Sequence, residues 1–249
     1  MHKIKRLLIK LYYNKISKRR LKLNIDHYLD EIDKVLKYGN PWRSINHYQL
    51  HYTTFYKFFN RLVRYNIFKK LHNKITKMYY KKNNYKNLFI DSTMIKNING
   101  HDFTGANHYD RNRKGNKISV IVNDKGIPIS LHLSTSNIHD SKLIEKTINN
   151  TSIQIISSRL IADKGYINSK LKRKLKKKKI SLIYPYRKNQ KKNNTTFEKN
   201  LLKGRYIVEN YFGWLKQYRR VQQRYDSIAI NYMNFIYLAS INLIIKKIY

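Results

Sequence analysis

At Leu88 the hydrophobic rhythm of the chain changes, and few architectures accommodate both halves. Upstream, apolar residues recur at three- and four-residue steps. Ile25, Tyr28, Leu29, Ile32, Val35 and Leu36 trace one helical face, which Gly39 and Pro41 bring to a stop. Phe55, Phe58, Phe59, Leu62 and Val63 trace a second, and after a turn near Asn66 a third carries Ile67, Phe68, Leu71 and Ile75. Residues 1 to about 85 therefore read as all helical, with KKNNYK at Lys81 to Lys86 as a linker. Downstream the runs are short: LFIDST ending on Asp91, KISVIVND (117–124), IPISLHLS (127–134), RLIADKGY ending on Asp163, and ISLIYPY (180–186). Lys125 and Gly126 join two of these runs with the chemistry of a hairpin turn. Asp140 is placed to cap a helix, a basic helix runs from Ile167 to Lys179, and a polar loop, KNQKKNNTTFEK, precedes one long helix from Leu202 to Tyr225. Three strands, then helix, strand, helix, strand, helix, predict an α/β domain with a mixed sheet over residues 86–249.

Charge narrows the partners. The 53 Lys and Arg against 14 Asp and Glu give a formal charge of +39, which favours association with nucleic acid or another polyanion. A genome skewed toward A and T would supply part of that excess through Lys codons alone. The helices of residues 1–85, with Arg61, Arg64, Lys69, Lys70, Lys74 and Lys77 outside, suit a helix-turn-helix DNA-binding unit, and equally any small bundle. The absence of cysteine excludes disulfides, thiolate zinc sites and cysteine nucleophiles. The basic start, MHKIKRLLIKLYYNK, is broken by Lys10 and Lys15 and lacks the pattern of a signal peptide. Ile228 to Ile245 is interrupted by Asn231, Asn234, Ser240 and Asn242, so a buried closing helix is expected there, and no membrane partner.

Scarcity makes the acids informative. Asp91 and Asp163 each follow a hydrophobic strand core, where functional side chains of α/β sheets concentrate; singly, each would more often serve as a turn or cap. Glu209 lies at the edge of the apolar stripe Ile207, Val208, Tyr211, Phe212, Leu215 and Tyr218. Arg205 stands four residues before it and Lys216 seven after, on one side of the helix. Among Arg205, Lys216, Arg219, Arg220 and Arg224, Glu209 is either a salt-bridged surface residue or a metal-binding carboxylate in a polyanion groove. Three converging carboxylates would repel one another without a cation, and Mg²⁺, bound through carboxylates and substrate phosphates, suits the set. His139 with Asp140 could form an acid–base pair, although a helix cap with a satisfied neighbour is the commoner arrangement. Trp214 could stack on an extruded base or belong to the core.

These residues also carry a resemblance. IDST (90–93), ADKGY (162–166) and RYIVENYFGWLK (205–216) resemble the three catalytic blocks of bacterial insertion-sequence transposases of the DDE type. The match is closest to the insertion-sequence-five-like group, whose last block reads Tyr-x2-Arg-x3-Glu-x6-Lys. Arg205, Glu209 and Lys216 fit that block in register, and Leu202 replaces its tyrosine. GNPWRSI (39–45), KGNKISVIVNDKGIPI (114–129) and NIHDSKLIE (137–145) extend the resemblance from about residue 36 to the end. It implies an RNase H-like catalytic domain over 86–249 and a triad of Asp91, Asp163 and Glu209 holding two Mg²⁺ or Mn²⁺ ions. The implied activity is excision and joining of a DNA element at its terminal inverted repeats. Arg205, Lys216, Lys164, Tyr166, Arg219 and Arg220 would be accessory or DNA-contacting residues. DNA would be the partner, in a synaptic homodimer or higher assembly, at the nucleoid of a bacterial host. A nuclease of the same fold that cuts without joining, and a non-catalytic DNA-binding descendant, are the alternatives.

Overall fold

The computed structural model describes residues 6, 9–10, 13–14, 21–46, 50–82, 85–108, 110–187 and 193–248. Parts of the basic N-terminal segment, of the expected linker at Lys81 to Lys86 and of the polar loop lie outside the described residues. The chain divides into two compact units: residues 1–75, 97–102 and 214–249 form one, residues 76–96 and 103–213 the other. Whereas the sequence suggests a division at residue 85 along the chain, these units interleave segments distant in sequence.

In the first unit, α1 (Ile25–Tyr38) begins at Asn24, whose side chain accepts from the Asp26 amide, and ends at Gly39 with φ 71°. That left-handed cap is the stop expected from the sequence, and glycine adopts it without a Cβ clash. Next come α2 (Tyr52–Arg64), the start of α3 (Ile67–Lys82), α8 (Arg219–Gln222) and the closing helix α9 (Ala229–Ile248). The core is aromatic: Tyr28 packs on Phe55 and Phe58, and Phe59 stacks on Phe235 at 4.5 Å between centroids. In α9, Tyr232, Phe235, Ile236, Leu238, Ala239 and Ile241 are all buried, as expected of a closing helix. Among the described residues, no helix is long and apolar enough to cross a membrane.

Fully buried His72 makes a 3.1 Å hydrogen bond to Ser240, and burial pulls its pKa down to about 4. A depressed histidine is neutral in the fold, so its stabilisation is complete above the unfolded value near 6.5 and is lost as pH falls toward 4. Acidification from pH 7 to 4.5 is expected to cost about 2.5 kcal/mol through this group. Urea denaturation at both pH values should show wild type losing about that much more stability on acidification than His72→Gln. Equal drops would show that His72 is not its source.

Two arginines of this unit lie inside it. Arg224 is 0 % exposed; its Nε donates to the Asp226 carbonyl (2.9 Å), Nη1 to the Asp102 carbonyl (2.8 Å), and Nη2 to the Ser227 carbonyl (2.8 Å) and the Asp102 carboxylate. Arg220 holds both oxygens of Asp226, at 3.1 and 2.9 Å, between the rings of Tyr225 and Phe235. Arg220, expected among the DNA-contacting residues, is thus corrected: it is buried on Asp226, and the buried guanidinium of Arg224 is likewise satisfied by Asp102 and backbone carbonyls, as a buried charge requires. Arg219 is exposed.

The second unit is built on a mixed sheet flanked by helices, as expected. Its strands are β1 (Asn87–Asn97), β2 (Gly105–Asn107), β3 (Arg113–Asn123), β4 (Pro128–Thr135), β5 (Arg159–Ile161) and β6 (Ser181–Ile183). β3 runs antiparallel to β1, with β2 and β4 along its other edge; β5 and β6 follow beyond β1, both parallel. Gly126, at φ 68°, turns the β3–β4 hairpin. One sheet face packs Leu88, Ile90, Leu160 and Ala162 against Ile144 of α4 (Asp140–Asn149) and Leu171 and Leu175 of α5 (Ser169–Lys177). Contrary to expectation, β1 does not end on Asp91 but pairs with β3 as far as Lys96.

The long helix expected from Leu202 to Tyr225 is three pieces: α6 (Thr196–Lys203), α7 (Tyr206–Lys216) and α8. It breaks at Gly204 and again at Tyr218, whose extended backbone precedes α8. The apolar stripe survives the break at Tyr218, with Val208, Tyr211, Phe212, Leu215, Tyr218 and Val221 all buried, while α6 before Gly204 buries none of its residues. Periodicity reports the buried face but not the interruption of the backbone.

Candidate active site

Strand alternation sets the site. Along β1, Leu88 and Ile90 point into the core shared with α4 and α5, so Phe89 and Asp91 point to the opposite sheet face. Leu88 pairs with Leu160 and Phe89 with Ile161, so two steps further Asp91 comes beside Asp163. The two acids therefore share one face at the carboxyl end of the parallel strand pair. Asp163 also begins the short 3-10 turn Lys164–Tyr166, its carboxylate accepting from the Lys164 amide.

Gly204 brings the third acid to this face. A Cβ on Gly204 would stand 2.9 Å from the Phe89 ring, so only glycine lets the α6–α7 junction approach the sheet so closely. Arg205 follows. Its Nη1 lies 3.2 Å from Asp163 Oδ1, and its Nη2 lies 3.6 Å from Glu209 Oε1, one turn along α7. Asp91 feels Arg205 and Asp163 electrostatically, and the Ser92 amide donates to its Oδ1 at 2.8 Å. Burial dominates these influences and raises its carboxyl to about 6.

The acids differ in exposure: the side chains of Asp163 and Glu209 are 44 % and 57 % exposed, while Asp91 is half-buried. All the donors are carboxylate oxygens, the chemistry a hard divalent cation takes. In kind they fit such an ion. Among the described residues, however, no three His, Cys, Asp or Glu side chains already form a cage. The guanidinium of Arg205 lies between Asp163 and Glu209.

The accessory candidates separate. Lys164 is exposed beside Asp163, while Tyr166 is 1 % exposed. The Tyr166 phenol lies near Ser92, Asp91 and Asp140, and its pKa is raised chiefly by burial. Its place is inside the site and not against a ligand's outer surface. Lys216 ends α7, half-buried, with its pKa lowered by that burial. Lys247 lies over the ring of Trp214 at 4.0 Å, so this face of the indole is covered.

One residue was misread from sequence. Asp140 is not the cap of α4; the His139 side chain takes that place and accepts from the Ser141 amide. Freed from capping, Asp140 Oδ1 accepts from Ser92 Oγ at 2.6 Å and from Lys117 Nζ at 2.8 Å. The overlooked signal was the pair Lys117 and Asp140, a lysine inside an apolar strand and an acid at a helix start.

Comparison with known proteins identifies the family. The family model described as "Transposase DDE domain" matches residues 82–243. A comparison with curated proteins finds no match. Among solved structures, a piggyBac transposase synaptic complex with hairpin DNA is similar at 12 % identity and a TM-score of 0.35, over 76 % of this chain and 42 % of that one. A Mos1 transposase paired-end complex with left transposon end is similar at 10 % identity and a TM-score of 0.36, over 96 % and 75 %. The chain thus spans less than half of the piggyBac chain, and at these scores nothing further rests on either likeness. The family match covers more than half of the 249 residues, and the chain belongs to the transposase DDE domain family.

Proposed function

We propose that the chain is the transposase of an insertion element of the insertion-sequence-five-like group, cleaving and joining DNA at terminal inverted repeats. The observation that carries this reading is the gathering of Asp91, Asp163 and Glu209 around Arg205 on one face of the sheet. The sheet order, with an antiparallel hairpin on one side of β1 and parallel β5 and β6 on the other, supports an RNase H-like domain. Asp91, Asp163 and Glu209 would hold Mg²⁺ or Mn²⁺. Two such ions would lower the pKa of an attacking water or 3′-hydroxyl and stabilise the departing oxygen.

The chemistry is two in-line displacements at phosphorus. In the first, a water oxygen bonds to phosphorus as the bond to the 3′-oxygen breaks; the water loses a proton to solvent and the leaving oxygen gains one. In the second, the freed 3′-hydroxyl bonds to a target phosphorus as the bond to the target's own 3′-oxygen breaks; the attacking hydroxyl loses its proton to solvent and the displaced oxygen gains one. Arg205 and Lys164 neutralise phosphate charge around the acids, and Lys216 and Arg219 are further cations for the DNA backbone. Tyr166 acts from inside, packed beneath the acids. The helices of residues 1–85 recognise element ends, residues 86–249 carry the catalysis, and two or more copies hold two ends together. In a bacterial host the protein works at the nucleoid.

The test uses labelled DNA from the flanks of the gene, with Mg²⁺ or Mn²⁺ and a supercoiled target. Joined products at a short duplicated target are expected. Hydrolysed ends without joining would favour a nuclease, and binding without cleavage a DNA-binding descendant.

A further inference from the structure

We infer that Asp140 is a positioning residue for Asp91, acting through Ser92; this rests on the assignment of Asp91 as a metal-holding acid under Proposed function. Lys117 is 7 % exposed, and its ammonium donates to the Ile138 carbonyl at 2.9 Å and to Asp140 Oδ1 at 2.8 Å. A buried ammonium needs a carboxylate at a fixed place, so Lys117 on β3 pins the first residue of α4. The same Oδ1 takes the Ser92 hydroxyl at 2.6 Å. The Ser92 amide in turn donates to Asp91 Oδ1 at 2.8 Å.

A chain of four residues from three elements, Lys117, Asp140, Ser92 and Asp91, thereby crosses from one face of the sheet to the other. Ser92 and Lys117 lie on the α4 face because Ser92 pairs with Ser119, which bonds Thr147 of α4 at 2.8 Å, and Lys117 is two residues from Ser119. Asp91 alternates to the catalytic face. Fixing the Ser92 side chain from behind fixes the peptide that orients the Asp91 carboxylate in front. The second oxygen of Asp140, Oδ2, lies 3.4 Å from where a Cβ on Gly165 would stand, an ordinary contact distance. Partners that hold a metal ligand in orientation are typically worth about 10- to 100-fold in metal affinity or activity.

The full chain is titrated calorimetrically with Mn²⁺ in the absence of DNA, so that the readout does not depend on turnover. Ser92→Ala keeps the Lys117–Asp140 pair and should leave the thermal midpoint close to wild type while weakening Mn²⁺ binding about tenfold. Ser92→Thr keeps the hydroxyl and should restore affinity to within a factor of two or three. Asp140→Ala should weaken binding at least as much as Ser92→Ala; should it fail to fold, the two Ser92 variants decide the matter. Binding by Ser92→Ala within twofold of wild type, or no recovery in Ser92→Thr, overturns the inference while leaving the catalytic reading in place. If Asp91→Asn binds Mn²⁺ as wild type does, or wild type binds none, that reading falls and this inference with it.

Discussion

Asp91→Asn should abolish cleavage of labelled element ends, by at least about a thousandfold, without weakening the fold. The first half follows from the way groups acting as one unit lose nearly all activity together when a single member is removed. Asp163→Asn and Glu209→Gln should produce losses of the same order, and the double variants little more. The second half follows from burial. The Asp91 carboxyl is raised to about 6, so its contribution to stability is present below its ordinary value near 3.8 and is lost as pH rises through 6. At neutral pH without metal, a neutral amide of the same shape removes a charge that the half-buried site disfavours, and the melting temperature should hold or rise. Metal-dependent cleavage that survives Asp91→Asn would remove Asp91 from the catalytic acids. A collapse in melting temperature would show that activity was lost through the fold.

Arg224→Ala should be the most damaging single substitution in the first unit, costing about 3–5 kcal/mol. The guanidinium is wholly buried and serves the carbonyls of Asp102, Asp226 and Ser227 together with the Asp102 carboxylate. Truncation strands the carbonyl of buried Asp226, removes the other three contacts and opens a cavity against Gly100, whose own Cβ would stand 2.6 Å from the guanidinium. Exposed Arg219→Ala serves as the control and should stay within about 0.5 kcal/mol of wild type. Chemical denaturation measures both. Equal midpoints would mean that the buried network contributes nothing net.

Much of the site could be read from the chain, and for a physical reason. In LFIDST and RLIADKGY the apolar residues alternate toward the α4 and α5 core, which sends each acid to the opposite face. Parallel pairing of β1 and β5 then sets the two side by side. What periodicity could not see was the direction of the backbone. The stripe from Val208 to Val221 continues through the break at Tyr218 because the pieces on either side of it are both buried along it. Gly204, which permits the first break, is recognisable only once the Phe89 ring is found against it. Arginines defeated the reading in another way: in a chain of charge +39, nothing local distinguishes exposed Arg219 from buried Arg220 except Asp226 six residues on. His139, and not the neighbouring acid Asp140, caps the helix that follows, a choice between adjacent residues that the sequence pattern leaves open.

The stacking of Phe59 on Phe235 has a bearing on biosynthesis. The ribosome releases the first of these rings some 176 residues before the second (235 − 59), and in between it delivers nearly the whole of the sheet-bearing unit. That unit can settle during translation, as domains commonly do. The helices made first can cover one another through Tyr28, Phe55 and Phe58, but the side of Phe59 that Phe235 stacks on stays open until the last helix emerges.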